Sequence, residues 1–111
     1  MNNSLLDKLD GLMSRFEEVS LLVTDPAVIA DQQRYVKLTR EYRELENILD
    51  ARRQYIEAIS GIDEARELLA TESDPDMKEM AREQLQECEA KVPQLEEQIK
   101  LLLIPKDTED S

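Results

Sequence analysis

Apolar residues recur along this chain at steps of three and four, in three runs separated by two Asp-Pro breaks. Steps of that size stack side chains along one face of an α-helix, so the pattern predicts three amphipathic helices. The longest run reads Tyr35, Leu38, Tyr42, Leu45, Leu49, Ile56, Ile59, Ile62 and Leu69. It predicts one helix over 26–70, a rod of roughly 65 Å at about 1.5 Å per residue. Such a rod cannot bury its stripe alone, so the rest of the chain should cover it. Gly61 weakens the rod locally and marks where a bend would fall.

The first helix is expected over 4–23. Ser4 suits its N-cap, with Asp7 three residues on as the partner in a capping-box-like pattern. Leu5, Leu9, Leu12, Phe16, Val19 and Val23 form a heptad seam, widened by Leu6, Met13 and Leu22. Gly11 inside it reads as merely tolerated. Asp25-Pro26 then ends one helix and starts the next: proline cannot continue a helix but fits a first turn, and aspartate caps it. Asp74-Pro75 repeats the device and opens a third helix over 75–104. Its seam is Ala81, Leu85, Cys88, Val92, Leu95, Ile99 and Leu102. Pro93 lies inside it and predicts a kink or a break. The segment 105–111 is a polar tail.

Short connections make neighbouring helices antiparallel. The fold class is therefore all-α: a three-helix antiparallel bundle, or coiled-coil hairpin, with a long central helix, and 1–104 as one helical domain. The first helix should fold back along the first half of the long one, with Val23 near Val28 and Leu5 near Leu45. The third should return from the other end, leaving a two-helix tip near Asp74. The apolar run Leu101 to Ile104 is expected to be covered on several sides near the middle of the long helix.

Composition narrows the function classes. The 111 residues include two glycines, four prolines and no tryptophan, with 36% charged residues, which suits a thin aliphatic core rather than a turn-rich sheet protein. A net charge of −12 repels phosphate backbones, so no autonomous nucleic-acid binding is expected, and a basic protein partner suits better. No apolar run is long enough to span a bilayer. The start of the chain lacks a secretory pattern, and Asp7 and Asp10 argue against a transit peptide. The single cysteine excludes an intrachain disulfide and fits a cytoplasmic setting.

Candidate chemistry is sparse. There is no histidine, the commonest general base and zinc ligand. No glycine-rich phosphate loop exists, Cys88 falls on a seam, and Glu17, Glu18, Glu96 and Glu97 read as solvated outer faces. The chain is expected to be no enzyme, with no catalytic, metal or cofactor site. One local departure stands out. From Asp31 to Arg53, Arg34, Lys37, Arg40, Arg43, Arg52 and Arg53 outnumber the acids by one. Either these bases pair with nearby acids, Arg40 with Glu44 and Arg43 with Glu46 being within helical reach, or they form a docking patch.

Three stretches in order resemble one family. Ile29-Ala30-Asp31-Gln32-Gln33-Arg34-Tyr35 with Leu38-Thr39-Arg40-Glu41-Tyr42, then Asp74-Pro75-Asp76-Met77-Lys78-Glu79-Met80-Ala81, then Leu101-Leu102-Leu103-Ile104-Pro105-Lys106-Asp107 resemble the N-terminal helical domain of bacterial class-I peptide chain release factors, and most of all the type that reads UAA and UAG. The likeness runs in register over essentially the whole chain. It implies a part in translation termination on the ribosome, through protein contacts near the stalk base that position the factor. The family's Pro-x-Thr codon reader and Gly-Gly-Gln loop have no counterpart here, so no catalytic residue carries over, and an isolated N-terminal domain is expected. Cut from its parent, such a rod could dimerise. A free-standing coiled-coil adaptor or chaperone-like oligomer is the alternative that the residues leave open.

Overall fold

The computed structural model describes residues 3–105, all in helices and short connections. The tail expected over 105–111 lies, beyond Pro105, outside the described residues. Four helices follow in order: α1 (Ser4–Leu22), α2 (Pro26–Ala30), α3 (Gln32–Thr71) and α4 (Pro75–Leu103). The chain groups into two compact units, Met1–Arg52 and Arg53–Ser111, whose boundary falls within α3.

The helix ends show which side chains set them. Asn3, not Ser4, caps α1: its Oδ1 accepts from the amides of Leu5 and Leu6, each at 3.1 Å. Asp25 accepts from the Ala27 amide at 2.9 Å, and Asp74 from the Asp76 amide at 3.0 Å, each with proline in the first turn behind it. Both Asp-Pro breaks therefore work as the sequence predicts. A third break falls where no proline or glycine announces it. Asp31 is extended, at φ −98° and ψ 97°, and ends α2. Its carboxylate accepts from the Arg34 amide at 3.3 Å and its carbonyl from the Tyr35 amide at 2.8 Å, so it also opens α3. The helix expected over 26–70 is thus two helices. The physical reason is local: an aspartate side chain competes for the amides that a continuous helix would use.

In the first unit, α1 runs antiparallel to the early part of α3, and α2 closes the end. Val19, Val28, Leu38 and Leu45 form the buried centre, with Leu12, Phe16, Leu22, Val23 and Tyr42 packed around them. Val23 and Val28 share this cluster, as the short connection requires. The Phe16 and Tyr42 rings stack at 5.0 Å. Arg15 reaches Glu41, and Arg52 reaches Asp10, so these two ion pairs mark the register. Leu45 falls between them, in the layer of Leu12 and Phe16, roughly two helical turns from the Leu5 expected there. The α2 turn and the Asp31 break take up chain before α3 sets out, and a single helix counted from Pro26 lacks that offset.

In the second unit, the later part of α3 and α4 form an antiparallel hairpin joined by three residues, Glu72, Ser73 and Asp74. Tyr55, Ala58, Gly61 and Ala65 are buried on α3, against Ala81, Leu95 and Ile99 of α4. The predicted stripe residues Ile56, Ile59, Ile62 and Leu69 are only half-buried. The seam is built from small residues because the two backbones come close. An added Cβ at Gly61 would lie 2.5 Å from Cys88 Sγ, and Gln84 Nε2 donates to the Gly61 carbonyl at 3.0 Å. At Gly11, by contrast, a Cβ would meet nothing within 4 Å. The α4 seam follows its predicted positions, half-buried or buried throughout. Of the kink or break expected at Pro93, the break does not occur: α4 continues through it. Pro93 is exposed, so water can reach the carbonyl that its ring leaves without a helical donor. Leu101 and Ile104 are 62% and 59% exposed, so the apolar run is not covered all round.

Candidate interaction surface

Glu, Asp and Cys side chains are the first candidates for chemistry. Among the described residues no group of three or more His, Cys, Asp or Glu is arranged to hold a metal ion. Cys88 is half-buried against Gly61. Glu17 and Glu97 are exposed, and Glu18 accepts from Arg15 at 3.0 Å. Glu96 is not the outer-face residue that its position suggests. It is half-buried and accepts from the Tyr55 hydroxyl at 2.8 Å. A phenol fully buried by its ring still needs a partner for its O–H, and Glu96 is the acceptor one helix away.

The basic stretch divides in two. Arg52 donates to Asp10 at 2.9 Å and Arg53 to Glu57 at 2.9 Å, so these two are held by acids. The side chains of Arg34, Lys37, Arg40 and Arg43 are exposed and make no hydrogen bond or ion pair among the described residues. Neither Arg40 with Glu44 nor Arg43 with Glu46 forms, although both spacings allow it. Glu44 is half-buried and engaged elsewhere. An open depression of about 710 Å³ at the start of α3 is lined by Asp31, Gln32, Gln33, Arg34, Val36 and Lys37. The second candidate region, the hairpin end from Thr71 to Asp76, satisfies itself. Thr71 Oγ1 donates to the Glu67 carbonyl, and Glu72 Oε1 accepts from the Ser73 and Asp74 amides at 3.1 and 3.4 Å.

One ion pair on the inner flank of α3 has an electrostatic signature. Arg15 Nε and Nη2 donate to Glu41 Oε2 and Oε1 at 2.6 and 2.7 Å, a two-pronged contact. These hydrogen bonds hold the Glu41 carboxyl below its usual range, against the opposing effect of burial. They also raise the Arg15 guanidinium, with Glu18 adding to the effect. A carboxyl with a depressed folded pKa stabilises the fold above its unfolded pKa and loses that contribution as the pH falls through the folded value. Glu41→Gln should therefore lower the urea midpoint at about pH 7 and narrow its gap to the parent at about pH 3. The pair is more than a third exposed on the arginine side, so the difference should be about 1 kcal/mol at most. An equal gap at both pH values would exclude the ion pair as its source.

Comparison with known proteins shows the family to which the chain belongs. Residues 12–111 match the PCRF domain. The chain belongs to the PCRF domain family. Proteins called peptide chain release factor 1 are similar to it throughout. The one from Parabacteroides distasonis is 61% identical over 97% of this chain, and the one from Bacteroides fragilis 58% over 98%. The one from Flavobacterium psychrophilum is 48% identical over 96%. In each case the matched stretch is 29% or 30% of the relative's own length, so the chain spans under a third of these relatives. No solved structure matches it. No helix among the described residues is long and apolar enough to cross a membrane.

Proposed function

We propose that this PCRF domain is the N-terminal helical domain of a cytoplasmic release factor and serves translation termination by docking the factor on the ribosome, through protein contacts near the stalk base. Stop-codon reading and peptidyl-tRNA hydrolysis then belong to parts of the factor beyond the matched stretch, and this domain performs no reaction of its own. The observation that carries the reading is the identity of 58–61% over nearly the whole chain to proteins named for peptide release. The free cations on α3 support a docking role.

The test uses a factor of the relatives' full length that carries this chain, with and without residues 1–104. Peptide release is followed on ribosomes stalled at UAA or UAG. Removal should raise the factor concentration needed for half-maximal release by about tenfold or more, about 1.4 kcal/mol of binding, and change the saturated rate much less. An unchanged concentration dependence would overturn the docking role.

A further inference from the structure

The face of α3 turned away from the first unit's core has a composition unlike the rest of this chain. Gln33, Val36, Lys37, Arg40, Arg43 and Asn47 follow one another at helical steps, and all six are exposed. On a helical projection Gln33, Val36, Arg40, Arg43 and Asn47 surround the direction opposite to the buried Leu38 and Leu45, and Lys37 lies on the flank beside them. Between Gln33 and Asn47 one carboxylate, Glu44, borders this stripe on the Lys37 side, and it does not pair with the stripe's cations. Glu41 sits on the inner flank with Arg15, Glu44 is half-buried and engaged, and Glu46 faces the far flank. The other unpaired described lysines, Lys8, Lys78, Lys91 and Lys100, are scattered singly along α1 and α4.

We infer that this stripe, led by Lys37, Arg40 and Arg43, is the surface that meets the sugar-phosphate backbone of structured RNA in the assembly where the domain docks. The inference rests on the docking role proposed above and names the chemistry of its partner. Three considerations select RNA over an acidic protein. Three cations within roughly 9 Å of helix axis match a line of closely spaced phosphates. Two of them are arginines, whose planar fork grips phosphate oxygens in pairs, and the flanking amides of Gln33 and Asn47 suit ribose and phosphate oxygens. Finally, the stripe lacks the aromatic or aliphatic anchors around which protein interfaces concentrate their affinity, since Val36 is its only apolar member. The net charge of −12 limits the contact to this one face. It also makes the contact an addition to other docking contacts, not a free-standing RNA-binding activity.

Two measurements on the full-length factor test the assignment. The first compares ribosome affinity over a salt series for the parent, for Lys37→Ala/Arg40→Ala/Arg43→Ala and for Arg40→Lys/Arg43→Lys. The triple alanine variant should bind about tenfold more weakly, with a log-log salt slope shallower by roughly 0.7–0.9 for each phosphate no longer neutralised. The lysine variant should retain most of that slope. The second places a photo-crosslinking residue at Val36, beside the cations, and digests the adduct with ribonuclease or protease. Expected is an adduct whose partner is removed by ribonuclease. A protease-sensitive partner, or an unchanged salt slope in the triple variant, would overturn the RNA assignment. If deletion of 1–104 weakens binding and the triple variant does not, only this assignment falls. If the deletion has no effect, the docking role falls and takes the assignment with it. All three side chains are exposed, so an unchanged thermal melt is expected and separates weakened RNA binding from damage to the fold.

Discussion

Tyr55→Ala should destabilise the second unit by about 3–5 kcal/mol, the range for truncating a large buried side chain. Tyr55 is only 1% exposed and is the largest of the fully buried side chains. It sits where the seam is otherwise alanine and glycine, so little neighbouring bulk can collapse into the space. The loss has a second component. Its hydroxyl donates to Glu96 at 2.8 Å, and without it that half-buried carboxylate must find another donor. Tyr55→Phe separates the two effects: it keeps the ring and removes the hydroxyl, and should cost about 1–2 kcal/mol. Urea denaturation followed by circular dichroism measures both. If the phenylalanine variant were destabilised as much as the alanine variant, the hydrogen bond and not the packing would dominate. A loss under about 1 kcal/mol for Tyr55→Ala would remove the ring from the core.

Leu45→Ala should cost roughly 2–5 kcal/mol, this time in the first unit. Leu45 is 6% exposed and belongs to the centre formed with Val19, Val28 and Leu38. That centre draws on α1, α2 and α3 together, so the vacated volume is bordered by three helices that cannot all close in at once. Leu5→Ala provides the comparison. Leu5 is half-buried and lies outside that centre, so its truncation should cost clearly less. Equal losses for the two leucines would restore the pairing of Leu5 with Leu45 that the helix lengths suggest and would contradict the register marked by the Arg15–Glu41 and Arg52–Asp10 ion pairs.

These two positions show how unevenly the chain reads in advance. Leu45 is legible as core because a leucine at the correct helical step is unambiguous. Tyr55 is missing from the predicted stripe and Ile56 stands in its place, because a hydropathy pattern ranks isoleucine above tyrosine and alanine. The face that packs on α4 is the one carrying Tyr55, Ala58, Gly61 and Ala65, and at Gly61 the close approach of Cys88 leaves no room for a larger side chain. Asp31 is hidden for a different reason. Aspartate occurs on many exposed helix faces, and only the carboxylate's hydrogen bond from the Arg34 amide reveals it as a break. The basic stretch is visible as a composition. Its division into two held arginines and four free cations depends on which acids lie within reach, and spacing along one helix cannot say that.

What the sequence determined by itself is local or pairwise along one helix: the all-helical class, the two Asp-Pro junctions, and the seams of α1 and α4. Capping, proline geometry and the 3.6-residue period act over a few neighbouring residues, so they are written in the order of the amino acids. The tertiary structure decided the antiparallel register, the small-residue contact between α3 and α4, the Tyr55–Glu96 hydrogen bond and the freedom of Lys37, Arg40 and Arg43. Each depends on distances between residues 20 or more positions apart, or on the lack of a partner at such a distance, and the packing of one helix on another sets those distances.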